Sequence, residues 1–219
     1  MDKPSITREK VKTLFETKFI KLFDLQYREG KHYFCATRRG LDTLSALKSD
    51  EEFKTMDADA VTYIVIIKTP DAEPRLFLQD EFRYPTGQFL LSPPAGLMDP
   101  EDKASGNPLY SVTKREIFEE TGIAMKETDT FRVVSPLVFS TPGMTDESNA
   151  LTLAVVELDD LSCINHNGTV GSECFDKVSL LTVEEAKAIL KDGRDTHGNF
   201  FSVYTEFALL YFISGLWQE

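Results

Sequence analysis

The feature that most constrains this chain is a stretch, residues 107–122, whose charged and apolar side chains separate onto opposite sides of a helix. It begins with Asn-Pro, which is a helix start because Asn caps free amides and Pro suits the first helical position. It ends with Gly, which commonly ends a helix. At about 100° per residue, Glu116, Glu119 and Glu120 fall within roughly one third of the circumference. The apolar residues near the opposite side are Tyr110, Ile117 and Phe118.

Two interpretations fit this carboxylate face. Glutamates on a helix are commonly just a solvated acidic surface. These glutamates, however, lie near the helix end, where the helix dipole is negative and Lys or Arg would be favourable. Glutamates at i, i+3 and i+4 can converge on hard divalent ions such as Mg²⁺ or Mn²⁺, which prefer oxygen ligands. The pattern therefore favours a metal site.

The same stretch resembles a known family motif. With Gly96 upstream and Arg-Glu-Ile-Phe-Glu-Glu-Thr-Gly-Ile from position 115, the chain resembles the Nudix box of the Nudix hydrolases. In that family the box binds divalent metal and cleaves a diphosphate linked to a further group. The resemblance implies Mg²⁺ or Mn²⁺ as cofactor and three metal ligands in the helix, Glu116, Glu119 and Glu120. Arg115 and Glu119 are the catalytic positions that it implies within the box, with Arg115 orienting the glutamates.

The left half of the box departs from the family pattern. From Gly96 to Arg115 is nineteen residues where the family has fourteen, so the loop carries five extra residues. The family has a Glu in this loop that braces it through the box Arg. Counting from the left reaches Asp102, counting from the right reaches Asn107, and Glu101 is a further candidate. We expect the metal site to survive with an altered loop.

Further residues resemble one branch of the family, the ADP-ribose pyrophosphatases. The motifs are Glu-Phe-Arg-Tyr-Pro from position 81, Pro-Ala-Gly-Leu from position 94 and a Pro-Gly loop beyond the box. The resemblance implies that the Ala95 carbonyl ligates a metal, that Tyr33 stacks on adenine, and that Arg38 and Arg83 lie near the substrate. A surface arginine at a turn is the alternative for Arg83. The implied substrate-binding positions are Tyr33, Arg38, Arg83, Leu97, Pro142 and Gly143.

A general base is also implied by this resemblance. In the ADP-ribose branch the base is a glutamate on a mobile loop beyond the box. Glu173, within Gly171-Ser172-Glu173 and just before a predicted strand at 175–181, is the better match, and Glu147 is the alternative. An exposed loop glutamate can equally be a solvated charge. His32, His166 and His197 fit no catalytic constellation.

Strand patterns precede, flank and follow the box helix, which favours an α/β class with helices on both faces of a mixed sheet. The predicted strands and hairpins cover 19–39, 61–82, 131–139, 149–158 and 175–181, and the predicted helices cover 182–191 and 202–217. Core candidates in the last helix are Tyr204, Phe207, Leu210, Tyr211 and Leu216. The resemblance implies a Nudix-type α/β/α sandwich at 57–219. It also implies an N-terminal β-hairpin piece at 1–56 that completes a homodimer.

Composition bounds the partners and the compartment. A net charge of −12 over 219 residues disfavours nucleic acid, which needs a basic stripe, but permits a small anion held through metal. The three cysteines, Cys35, Cys163 and Cys174, lack metal or disulfide spacing and are typical of reduced thiols. No signal-like or membrane-length apolar run is present, so we expect no membrane partner and a cytoplasmic location.

These observations lead to two hypotheses of different classes. The first is a metal-dependent hydrolase that splits ADP-ribose, or a related nucleoside diphosphate sugar, into a nucleoside monophosphate and a sugar phosphate. The second is a non-catalytic Nudix-like domain that senses such a nucleotide sugar. The trio of glutamates favours the enzyme, because a pure binding domain has no need of converging carboxylates.

Overall fold

The computed structural model describes residues 4–166 and 173–219. The chain forms two compact units. One is built from the residues up to Asp59 together with Leu137–Asn149, and the other from Ala60–Pro136 and Ala150–Glu219. The second unit contains the predicted box helix.

The first unit is organised around an antiparallel sheet of strands β1 (Val11–Glu16), β2 (Lys21–Arg28) and β3 (Lys31–Thr37), in that order. The predicted hairpin at 19–39 is confirmed, with Gly30 at φ 62 in its turn. β1 was not predicted, because its side chains are almost all exposed and so carry no apolar alternation. A short helix, α1 (Asp50–Lys54), follows the sheet.

The second sheet is mixed and has the strand order β10-β5-β4-β9-β8, with β6 beside β5 and β7 beside β4. Its strands are β4 (Ala60–Thr69), β5 (Ala72–Arg83), β6 (Gln88–Ser92), β7 (Ala95–Leu97), β8 (Thr130–Phe139), β9 (Ser148–Glu157) and β10 (Phe175–Leu181). The helices are α2 (Pro100–Lys103), α3 (Pro108–Thr121), α4 (Val183–Asp192) and α5 (Val203–Ser214). The strands predicted after residue 60 are confirmed.

Alternating residues of β4 show that helices cover both faces of this sheet. Ile64 and Ile66 belong to an apolar cluster that includes Leu209 and Phe212 of α5. Tyr63 lies on the opposite face, where burial and then the charges of Glu116 and Glu120 on α3 raise its pKa. The α/β/α sandwich expected from the sequence is therefore confirmed, and the box helix lies on the face opposite α5.

The helix boundaries follow from local sequence. Asn107 Oδ1 accepts a hydrogen bond from the Tyr110 amide at 3.4 Å, and Gly122 ends α3 at φ 74, as predicted. The last helix is shorter than the predicted range 202–217, because Gly215 at φ 75 ends it. The prediction that Leu210 and Leu216 lie in the core is wrong, because these residues are 51% and 46% exposed. The buried residues of α5 are instead Thr205, Ala208, Leu209 and Phe212.

None of the helices in the described ranges is long and apolar enough to cross a membrane.

Candidate active site

The glutamate face of α3 is largely buried against the sheet. Glu116 is 8% exposed and Glu120 is 2% exposed. Arg115 Nη1 donates to Glu116 Oε1 at 2.8 Å and to Glu119 Oε2 at 3.1 Å. Gln79 Nε2, on β5, donates to Glu120 Oε2. The simple solvated-face interpretation is therefore excluded for two of the three glutamates.

Gly96 brings the backbone of the preceding loop against Glu116. A Cβ at position 96 would lie 2.2 Å from Glu116 Cδ, far inside contact distance. The short strand β7 fixes this loop, because Ala95 and Gly96 pair with Thr62 and Val61 of β4. The absence of a side chain at Gly96 thus lets a buried carboxylate approach the Ala95–Gly96 backbone.

Burial gives these carboxylates unusual acid–base properties. Burial, aided by the charges of Glu119 and Glu173, raises the pKa of Glu116 to about 7 even though Arg115 opposes the rise. Burial also raises the pKa of Glu120 well above its ordinary value, with further contributions from Glu116 and Glu81. The protein supplies too little positive charge for this set of carboxylates.

The carboxylates of this face have the chemistry to bind a hard divalent cation, but they are not already arranged around one. In the described part of the chain, no three acidic, His or Cys side chains are grouped closely enough to hold a metal ion. Arg115 engages both Glu116 and Glu119. The chemistry nevertheless suits Mg²⁺ or Mn²⁺, because buried carboxylate oxygens with raised pKa values are stabilised by a nearby cation.

In the lengthened loop between Gly96 and Arg115, an aspartate holds the box arginine. Arg115 Nη2 donates to Asp102 Oδ2 at 2.8 Å, and the same oxygen accepts from the Asp99 amide at 3.1 Å. Glu101 is exposed, and Asn107 caps α3. Of the three candidates from the sequence, Asp102, found by counting from the left, is the residue that contacts the arginine.

Glu173 lies where its charge acts on the carboxylate face. It is exposed, lies two residues before β10, and contributes to the raised pKa values of Glu116 and Glu120. The chain is fixed just after it, since the Phe82 amide donates to the Cys174 carbonyl at 2.8 Å. The neighbouring Gly171 and Ser172 lie outside the described residues.

His166 is a residue near this site that sequence reasoning missed. Its Nδ1 lies 2.7 Å from the Glu120 carbonyl oxygen and must donate, because a carbonyl can only accept. Its ring stacks on Phe175, with centroids 5.1 Å apart. This contact spans forty-six positions along the chain, so no local pattern could have indicated it.

Arg83 and Leu97 are both partly exposed. Arg83 Nη2 lies 2.5 Å from Glu81 Oε2, and the arginine side chain is 42% exposed. Leu97, the last residue of β7, is 48% exposed. Both side chains remain accessible to a ligand.

Comparisons with known proteins found relatives in sequence and in structure. No family model matches the sequence. The ADP-ribose pyrophosphatase of Saccharomyces cerevisiae is 34% identical over 102 residues, which are 46% of this chain and 39% of that protein. Putative nudix hydrolase 2 of Caenorhabditis elegans is 28% identical over 159 residues, which are 73% of this chain and 65% of that protein. A crystal structure of an ADP compounds hydrolase has the same fold, with a TM-score of 0.56 at 16% identity, covering 99% of this chain and 97% of that one.

The chain is similar to Nudix hydrolases. The resemblance stated from the sequence, to the ADP-ribose pyrophosphatase-like branch, is confirmed by the name of the yeast relative and by the fold. The chain spans less than two thirds of the length of either curated relative, 39% and 65%.

Predicted site residues from two distant segments lie together in the first unit. Tyr33 Oη donates to the Gly143 carbonyl at 2.6 Å, which ties β3 to the Pro-Gly loop that also contains Pro142. Arg38 Nε donates to Glu147 Oε1 in the same region. The structure therefore groups Tyr33, Arg38, Gly143 and Glu147, although more than one hundred positions separate the two segments.

Proposed function

We propose that this Nudix protein hydrolyses the diphosphate of ADP-ribose, or of a related nucleoside diphosphate sugar, giving AMP or another nucleoside monophosphate and a sugar phosphate. The observation that carries the proposal is the pair of buried carboxylates, Glu116 and Glu120, packed beneath Gly96 with pKa values raised by burial. A pair of this kind is costly to fold unless a cation binds it. The name of the yeast relative supports the substrate class.

The cation-binding residues would be Glu116, Glu119, Glu120 and the Ala95 carbonyl. When bound, Mg²⁺ or Mn²⁺ neutralises diphosphate oxygens and lowers the pKa of an attacking water. Arg115 holds two of the glutamates in place, and Asp102 holds Arg115. Phosphoryl transfer depends mostly on such positioning and on charge stabilisation.

Glu173 is the proposed general base that removes a proton from the attacking water. It is exposed and acts electrostatically on the carboxylate face. Glu147, the alternative base, is engaged by Arg38 in the first unit. Glu173 is preferred because its charge acts on the carboxylate face where the cation would bind.

Three residues are proposed to bind the substrate. Tyr33 would stack on adenine, and Arg38 and Arg83 would donate to the diphosphate, since a guanidinium matches phosphate oxygens with two parallel hydrogen bonds. Each arginine is paired with a glutamate, Glu147 or Glu81, which an anionic ligand can replace as hydrogen-bond acceptor. The proposal includes a homodimer, completed by the N-terminal hairpin, and a cytoplasmic location.

The decisive experiment is a panel of nucleoside diphosphate derivatives, including ADP-ribose, other nucleotide sugars and dinucleoside polyphosphates, each with Mg²⁺ or Mn²⁺. Products are identified as nucleotide and sugar phosphate. We expect ADP-ribose or a nucleotide sugar to give the highest kcat/KM. Binding of these compounds without any hydrolysis would replace the enzyme with the sensing domain considered from the sequence.

A further inference from the structure

One fully buried polar residue still lacks a physical reason for its place in the sheet. Gln79 stands near the middle of β5 at 0% exposure, next to Phe77 and Leu78, which are also fully buried. Burying an amide among apolar side chains is unfavourable unless the amide is hydrogen-bonded. Gln79 therefore needs a specific partner.

That partner is the Glu120 carboxylate. Gln79 Nε2 donates to Glu120 Oε2, joining the sheet to α3. Gln79 Oε1, in contrast, has no hydrogen-bond partner among the described residues. An unpaired buried acceptor costs free energy. The stabilising contribution of the Gln79 side chain therefore comes from its Nε2 donor.

The choice of an amide matters chemically. A lysine or arginine at position 79 could also hydrogen-bond Glu120, but it would neutralise the carboxylate. A neutral amide orients the carboxylate and leaves its negative charge available to a cation. Because Gln79 is on a central strand of the sheet, it also provides a rigid support.

We infer that Gln79 is a positioning residue, which holds the Glu120 carboxylate in the orientation that binds the divalent cation. The inference rests on the proposed function, in which Glu120 is a metal ligand. Residues that hydrogen-bond a metal ligand typically change metal affinity by about 10- to 100-fold when removed. Gln79 should act through affinity for the metal rather than through contact with the nucleotide.

The test is the dissociation constant for Mn²⁺ alone, measured by isothermal titration calorimetry. Gln79→Met keeps the length of the side chain and removes the donor, so we expect Mn²⁺ to bind about 10- to 100-fold more weakly. Gln79→Asn keeps an amide that is one methylene too short, and it should show the same loss. The matched control is Thr152→Val, which removes a different buried hydrogen bond between the sheet and α3, that to Thr113 at 3.1 Å.

Equal Mn²⁺ affinity in wild type, both Gln79 variants and the control would overturn the inference. An equal loss in Thr152→Val would overturn it too, since the effect would then reflect general helix–sheet packing. If both Gln79 variants fail to fold while Thr152→Val folds, Gln79 is a structural residue and the inference is again wrong.

Steady-state kinetics separates this inference from the proposed function. If wild type hydrolyses a diphosphate, excess Mn²⁺ should restore kcat in Gln79→Met with KM for the nucleotide unchanged. If wild type binds Mn²⁺ but hydrolyses nothing on the panel, the proposed function fails while the Gln79 result still stands on Mn²⁺ affinity. A wild type that binds no Mn²⁺ would overturn both.

Discussion

Arg115 Nη2 lies 2.8 Å from Asp102 Oδ2. The two residues are thirteen positions apart in the sequence, and the segment between them includes part of the lengthened box loop. The Asp102 side chain is 9% exposed and that of Arg115 is 34% exposed, so the pair is partly shielded from water. Arg115 in turn contacts Glu116 and Glu119. The altered loop is thus tied to the glutamate face through Arg115, with Asp102 as its shortest contact and Asp99 3.9 Å from the same nitrogen.

Asp102→Asn should destabilise the second unit by removing one of the buried charges that pair with Arg115. Hydrogen bonds to charged groups contribute about 1.5–3 kcal/mol, so we expect a loss of this size in the free energy of unfolding, measured by urea denaturation. Glu101→Gln is the control, since that residue is exposed and its change should stay within about 0.5 kcal/mol. Equal effects of the two variants would contradict the brace.

Glu120→Gln should abolish metal-dependent hydrolysis without harming the fold. We expect kcat to fall by orders of magnitude, because one carboxylate ligand is lost. Without metal, the variant should be at least as stable as wild type, since burial opposes ionisation of Glu120. Thermal unfolding with and without Mn²⁺ measures this: wild type should gain stability from the metal and the variant should not. Full activity in the variant, or after exhaustive chelation, would exclude the metal mechanism.

Glu173→Gln should reduce kcat more than Glu147→Gln does. General-base catalysis contributes typically about 10²- to 10⁴-fold, and the charge of Glu173 acts on the glutamate face. Glu147→Gln should mainly weaken the contact to Arg38 and so alter KM. The reverse order of kcat values, measured at saturating substrate and metal, would move the base to the Pro-Gly loop.

Tyr33→Ala should raise KM for ADP-ribose with kcat nearly unchanged, the mark of uniform binding. A stacking contribution of about 0.5–1.5 kcal/mol corresponds to roughly a 2- to 10-fold change in KM. Tyr33→Phe is the matched control, because it keeps the ring and loses only the hydrogen bond to Gly143. Arg83→Ala should lower kcat as well. Unaltered kinetics in Tyr33→Ala would make the hairpin purely structural.

Cys35 should be the slowest thiol to react in the folded protein. Burial, with the negative charge of Asp146, raises its pKa from 9.0 to about 11, whereas Cys174 is exposed. Near pH 8 we expect Ellman's reagent to modify Cys35 at least about 100-fold more slowly than Cys174. Because the folded thiol keeps its proton longer, stability from this group is present below pH 9 and is lost as pH rises towards 11. Equal rates for both thiols would contradict the burial of Cys35.

The sequence by itself determined the elements whose causes are local. The cap at Asn107 and the stop at Gly122 bound α3 because side-chain capping and a left-handed glycine act within one turn. The helical period placed Glu116, Glu119 and Glu120 on one side for the same reason. The Nudix resemblance then followed from residues within one continuous stretch.

Only the tertiary structure decided which distant residues serve that stretch. Asp102 instead of Glu101 meets Arg115, Gln79 meets Glu120, and His166 meets the Glu120 carbonyl. β1 and the exposure of Leu210 were also hidden from the sequence. Such contacts depend on how strands and loops that are far apart in the sequence pack together. The free energy that selects them comes from burying carboxylates and amides against one face of the sheet. Burial of this kind leaves no periodic pattern in the sequence.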